Sequence, residues 1–266
     1  MTNIDALPQA VATNATLDLI CRRSSTRAFA DAPVDEAQRQ AVLHAATRAP
    51  SGGAMMMYSI IDIRRRETIE QLAVLCDNQP FIAKAPWALV FVVDYAKWMD
   101  LFVELDCADA EGTGPRPPLR GELAIAAQDT VAAAQTAVIA AEAVGLGSCY
   151  IGDVVEHAEE VAALLDLPPY TLPLSMLVLG TPAKERPATP HPTVNIVMEE
   201  RYHRADARVR AAQIAEMDAM FRPHAAEPGA RVRDIYQRKH TSDFMAEMDR
   251  SLALWYQNWT GEAPLL

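Results

Sequence analysis

The stretch from Glu122 to Val144, dominated by alanine, constrains this chain more than any other. It carries Glu122, Asp129 and Glu142 together with Gln128 and Gln135, and its longest uncharged run is Thr130 to Ala141. A membrane-spanning helix needs about 20 apolar residues, so this run is too short to cross a bilayer. A helix that is apolar on nearly every face, outside a membrane, is buried on nearly every face. It is therefore expected at the centre of the fold, with a subunit interface as one place to find partners. Half of the 266 residues are hydrophobic and 22% are charged, enough for a full core and incompatible with global disorder. A formal net charge of −11 argues against broad nucleic-acid binding while leaving room for a local basic pocket. Cys21, Cys76, Cys107 and Cys149 lie far apart with no Cys-x-x-Cys, so free thiols in a reducing, cytoplasmic setting are expected. The opening MTNIDALPQAVATN has no basic or apolar region of a signal peptide.

Around that helix the pattern alternates helices and strands. Helices are expected at Leu17–Arg23, Asp35–Ala49, Glu67–Cys76 and Glu156–Leu165, the second with Ala37, Ala41, Val42, Ala45 and Ala46 on one face and Pro50 as its stop. Strands are expected at Tyr58–Ile63, Trp87–Val93, Cys149–Ile151 and Leu174–Leu179; the run WALVFVV suits a strand covered on both faces. Helix-length connections between strands argue for an α/β or α+β chain, read as a single domain over residues 1–266. Residues 106–120, rich in Pro, Gly and charge, read as a mobile loop, either an exposed insertion or a lid over a site. Residues 202–266 read as a C-terminal helical extension ending in aromatics, which must pack on the domain or wrap a partner subunit.

The familiar catalytic signatures are missing. Gly145-Leu-Gly147 has the glycines of a dinucleotide loop, but position 150 is Tyr and a helix precedes it. Ser148 is not set in Gly-x-Ser-x-Gly, and the six histidines have no metal-ligand spacing, so no catalytic side chain and no metal are expected. Two stretches point elsewhere. Cys21-Arg-Arg-Ser-Ser-Thr-Arg-Ala-Phe29 gathers three arginines and two serines where a helix gives way to a turn. Guanidinium forks and hydroxyls match phosphate oxygens, though the same residues also suit a solvated helix end. In Arg48-Ala-Pro-Ser-Gly-Gly-Ala-Met-Met-Met-Tyr58 a helix stops, the backbone is bare at Gly52 and Gly53, and adaptable thioethers follow. That suits a flat ligand, and equally a turn feeding a core strand.

Taken in order, Arg-Arg-Ser-Ser-Thr-Arg-Ala-Phe, Arg-Ala-Pro-Ser-Gly-Gly, AAQTAVIAAEAVGLGSCYIGDV and Leu-Gly-Thr-Pro resemble the FMN-dependent nitroreductase family. The segment Cys76-Asp-Asn-Gln-Pro-Phe-Ile-Ala-Lys-Ala-Pro86 and the tail from Tyr236 resemble its NADPH-preferring, oxygen-insensitive nitroreductase and flavin reductase branch, and the likeness runs from about Leu17 to Trp259. The resemblance implies an α/β (α+β) nitroreductase-like fold: a mixed central sheet flanked by helices, with a long buried central helix. It implies that Arg23, Ser24 and Ser25 hold the FMN phosphate and ribityl chain, and that Arg27 faces the phosphate or the pyrimidine edge. Ser51 matches the serine of the family's second loop and Gln79 its amide at the ring's polar edge. Tyr150, Ile151, Gly152 and Asp153 match the segment along the flavin, and Arg186 completes the phosphate site. Ala54 stands where relatives often carry asparagine, and Ala188 where some carry a second basic residue. Arg238 falls near a basic tail residue of the NADPH-preferring relatives, a candidate for the adenosine 2′-phosphate; a solvated basic helix face is the other reading.

The implied activity is a ping-pong NAD(P)H oxidoreductase: hydride passes from NADPH or NADH through N5 of FMN to a small aromatic electron acceptor, a nitroaromatic or a quinone. The implied assembly is a homodimer with the flavin at its interface, in the cytoplasm and without nucleic-acid or membrane partners. The alternatives are a specialised flavin enzyme of the same fold, for reductive dehalogenation or flavin breakdown, and an FMN-binding redox sensor without turnover.

Overall fold

Eight successive buried residues make β2 (Trp87–Asp94), the strand that the apolar run predicts. The computed structural model describes residues 13–185, 187, 188 and 191–266, so Arg186 lies outside the described residues. They form two compact units, 24–185 with 247–266, and 13–23 with 187, 188 and 191–246. In the first unit β1 (Tyr58–Ile63), β2, β3 (Gly147–Ile151) and β4 (Thr171–Gly180) make one sheet in the order β1-β2-β4-β3. Leu89 stands opposite Asp62 on one side and Leu177 on the other. β2 and β4 are thus hydrogen-bonded along both edges.

Side chains alternate across these strands. Trp87, Leu89, Phe91, Leu177 and Leu179 enter one apolar cluster, whereas Ala88, Val90, Val92, Met176 and Val178 enter another. Both faces are covered, which is why the two strands read as continuous apolar runs. The central sheet flanked by helices is as expected. Its three pairings among the described residues are all antiparallel, so the parallel pair of a mixed sheet is not among them. A helix between two strands is compatible with either direction, because direction is set by the end of the sheet to which the connection returns.

One cluster is closed by α2 (Glu36–Ala46) and α6 (Arg120–Ala143). A capping box starts α2: Gln38 N–H donates to Asp35 at 2.7 Å and the Gln38 side chain accepts from Asp35 N–H at 3.2 Å. The helix ends at Ala46, earlier than Pro50 requires. Its expected face is corrected: Ala37 and Ala41 are exposed, and only Val42 and Ala46 are buried, in the cluster with Ala133, Ala137 and Ala141 of α6. A helix resting on another through alanine and valine makes a narrow seam.

Among the described residues α6 is the one helix long and apolar enough to cross a membrane. Its buried face, Ala126, Thr130, Ala133, Ala134, Ala137, Val138 and Ala141, is packed within the protein instead. Burial on nearly every face is not reached in one chain: Ile125 and Val131 stay 47% and 51% exposed, on a strip with Gln128 and Gln135.

The other face of the sheet is covered by α3 (Arg66–Leu75), α7 (Ala158–Leu165) and the C-terminal helix, α10 (Asp243–Thr260), with Met99 of α5 (Ala96–Glu104) in the same cluster. Trp255 Nε1 donates to Val155 O at 2.9 Å, and Trp259 Nε1 to Leu119 O at 3.1 Å. The buried Asn258 amide donates to Pro168 O and Thr171 O at 3.1 and 3.0 Å. These bonds dock the aromatic end of the tail on the domain. The smaller unit holds α1 (Ala15–Arg22), α8 (Ala207–Phe221) and α9 (Ala230–Ile235), the last continuing into a π-helical turn, Tyr236–His240.

Glu247, on α10, accepts from Arg250, from Ser251 Oγ at 2.7 Å and from the N–H of His157 at 3.2 Å. The Arg250 bonds, outweighing partial burial and joined by the other two, hold its carboxyl down at about 2, below the ordinary 4.5. A depressed folded value stabilises the fold above the unfolded value, and that contribution is lost as pH falls through the folded one. The stability difference between wild type and Glu247→Gln should therefore be constant above about pH 5 and shrink steadily toward pH 2. Urea midpoints across that range check this; a difference independent of pH rules it out.

Candidate functional site

After Arg23 the chain runs extended across the ends of β3 and β4. Thr26 N–H donates to Ser148 O at 2.8 Å, Ala30 N–H to Thr181 O at 2.8 Å, and Ala183 N–H to Ala28 O at 3.0 Å. Two glycines admit this strip. A Cβ on Gly147 would run into Thr26 Oγ1, and one on Gly180 would lie 2.7 Å from the Pro86 ring and 2.9 Å from Phe29. The sequence shows both glycines within short motifs but not this reason for them, because the strip lies more than a hundred residues away.

The strip alternates. Ser24 and Thr26 are buried, while Ser25 and Arg27 face outward. The Arg27 guanidinium lies 5.9 Å over the Phe81 ring in α4 (Pro80–Ala83). Gln79 caps that helix and turns its amide back onto Cys76 O at 3.0 Å. The strip and α4 therefore meet at Arg27 and Phe81. Arg23 ends α1, its N–H on Leu19 O at 3.1 Å. Among the described residues neither Arg23 nor Arg27 has a carboxylate partner.

β3 carries the next group. Cys149 and Ile151 are buried and Tyr150 points out, its hydroxyl 3.4 Å from Gln135 Oε1 on α6. Gly152 follows, at the entry to a short 3-10 turn, Asp153–Val155. A Cβ placed on Gly152 meets nothing within 4 Å. Packing within the chain does not demand a glycine there, and its bare backbone faces open space.

Ser51 opens the second loop. Its hydroxyl donates to Asp129 Oδ2 at 2.6 Å and accepts Met56 N–H at 2.7 Å, while Gly52 N–H donates to Asp129 Oδ1 at 2.9 Å. Gly53, Ala54 and Met56 all have left-handed backbone, with φ of 61°, 55° and 50°. Asp129 went unremarked as a site residue in the sequence; a lone acid on an alanine-rich helix was the available signal. Burial pushes the nearby Tyr58 hydroxyl upward, and the charge of Asp129 adds to it.

In the smaller unit Arg238 is not free. Its fork closes on Asp234 at 2.8 and 3.0 Å, and Arg222 and Arg231 reach the same carboxylate at 3.0 Å each. The Asp234–Arg238 spacing of four is itself a helix-pair signal. A phosphate at Arg238 would have to compete with that carboxylate.

Residues 20–181 match the nitroreductase family. The chain belongs to that family. Over 248 residues it is 32% identical to the oxygen-insensitive NADPH nitroreductase of Salmonella typhimurium, covering 92% of this chain and 98% of that protein. It is 31% identical to the FMN reductase [NAD(P)H] of Bacillus subtilis, covering 68% and 73% of the two chains. The solved structure of NfrA1 from B. megaterium superposes with a TM-score of 0.77 at 27% identity, covering 91% of this chain and 98% of that one. As a nitroreductase-family member the chain is an oxidoreductase enzyme, in a family that typically binds FMN and NAD(P)H and serves small redox acceptors.

Left-handed backbone costs a non-glycine residue about 1–2 kcal/mol, part of which glycine returns as unfolded-state entropy. Asparagine tolerates this region better than alanine. Ala54→Gly and Ala54→Asn should each raise stability by up to about 1 kcal/mol, read as a higher urea midpoint at unchanged m. A lower midpoint in both would show that the alanine methyl is needed where it stands.

Proposed function

We propose that this chain uses FMN to pass electrons from NADPH or NADH to small aromatic acceptors, nitroaromatics and quinones, with donor and acceptor taking turns at one site. The observation that carries this reading is the strip of residues 24–30, which turns Ser25 and the unpaired charge of Arg27 outward; the bare backbone at Gly152 supports it. The donor set fits the cofactor: FMN phosphate is a dianion, and an arginine without a carboxylate partner beside serine hydroxyls is what a phosphate requires. Bound FMN supplies the two-electron redox chemistry, so no acid or nucleophile of the protein is needed.

The residues then divide by task. Arg23, Ser24, Ser25 and Arg186 hold the phosphate and ribityl chain. Arg27 and Gln79 face the polar edge of the ring, where Gln79 can both donate and accept. The backbone of Tyr150, Ile151, Gly152 and Asp153 lies along the ring, and Ser51 borders it from the second loop. Met55, Met56 and Met57 offer adaptable apolar surface to different acceptors. The half-exposed strip of α6 supports a homodimer, since a second copy would cover Ile125 and Val131. The four free cysteines suit a reducing, cytoplasmic setting.

The purified chain should carry, or take up, a flavin with its visible spectrum, bleached by anaerobic NADPH and restored by a quinone. Arg27→Ala should weaken FMN by about 1.5–3 kcal/mol, tenfold or more, and riboflavin should bind far less tightly than FMN. A chain that neither contains nor takes up flavin would falsify the proposal.

Arg238 is proposed to meet the adenosine 2′-phosphate by exchanging Asp234 for it. Arg238→Ala should then cost about 1–2 kcal/mol in kcat/KM for NADPH and leave NADH unchanged. An equal change for both nucleotides assigns Arg238 to its ion pair alone.

A further inference from the structure

Asp129 is a buried acid, 5% exposed, on a helix whose buried neighbours are mostly alanine. Among the described residues it has no lysine or arginine partner; its hydrogen bonds go to Ser51 Oγ and Gly52 N–H. Burying a carboxylate without a cation is costly, and an alanine would fill the same place on the seam at no such cost. The bonds it makes also have a direction. A carboxylate only accepts, so the Ser51 proton is committed to Asp129. One lone pair of the Ser51 oxygen takes Met56 N–H. What remains on Ser51 is a second lone pair, an acceptor and never a donor.

We infer that Asp129 is a positioning residue for the cofactor site: it fixes the turn of residues 51–56 and holds Ser51 as a hydrogen-bond acceptor, toward a ligand donor such as a ribityl hydroxyl. This rests on the reading that Ser51 borders the flavin. Asp129→Asn separates the two jobs. The asparagine oxygen can keep Gly52 N–H, but its amide donates to Ser51, fills the second lone pair and turns the Ser51 proton outward. The loop stays closed and the polarity of Ser51 reverses.

The test titrates FMN into the cofactor-free chain, with fluorescence quenching as the signal and thermal unfolding of the same cofactor-free samples as the control. Asp129→Asn and Ser51→Ala should each weaken FMN about tenfold, with unfolding of the cofactor-free chain little changed in the asparagine variant. Ser51→Thr, which keeps the hydroxyl, should bind within about threefold of wild type. The double variant Ser51→Ala/Asp129→Asn should be no worse than Ser51→Ala alone, because Asp129 acts through Ser51. If Asp129→Asn does not fold, Asp129→Ala, which suits an alanine-lined helix, gives the same comparison. Additive losses, or an Asp129 variant that binds FMN as wild type does while Ser51→Ala does not, overturn the inference and leave Ser51 at the flavin. Wild-type affinity in Ser51→Ala removes Ser51 from the flavin and the inference with it.

Discussion

The site depends on a contact between backbones. Residues 26–30 lie close enough to the ends of β3 and β4 to exchange hydrogen bonds with Ser148, Thr181 and Ala183, and no side chain fits between. Gly147 and Gly180 make that approach possible, since a Cβ at either would strike the strip or Pro86. The strip in turn decides which side chains look outward. Its alternation buries Ser24 and Thr26 and presents Ser25 and Arg27. The positive charge of the site is therefore set by the register of an extended segment, with the sheet as its template.

The elements were legible where burial left a one-sided or two-sided pattern. β1 falls where the sequence places it, and β2 and β4 show as apolar runs because each has a cluster on both faces. Strand direction was not legible, because nothing in hydrophobic alternation records the end of the sheet to which a connection returns. The face of α2 was misjudged for a related reason. Alanine is small enough to sit in a seam or in water, so Ala37 and Ala41 counted as core by type while standing exposed.

Of the candidate site, the arginine–serine strip and the bare loop at Gly52 and Gly53 were readable from charge and local composition, and the turn after Tyr150 only through the family resemblance. The parts that depend on distant partners were not. Asp129 lies 78 positions from Ser51, and its bond to Ser51 emerges only when α6 is laid against the loop. The pairing of Arg238 with Asp234 was within reach at a spacing of four, but three arginines converging on one carboxylate required the fold of α8 and α9.

The seam of alanine and valine between α2 and α6 has a consequence for motion. Alanine has no side-chain rotamers and the valines Val42 and Val138 are stiff, so this contact forms with little loss of side-chain entropy and has few alternative packings to move into. A seam built of leucine or methionine could absorb a displacement by repacking; one of alanine and valine has little of that freedom. Strain arising near Ser51 or Tyr150, both tied to α6, would therefore not dissipate through α2, and adjustment to ligands of different shape would fall to the loops at the helix ends.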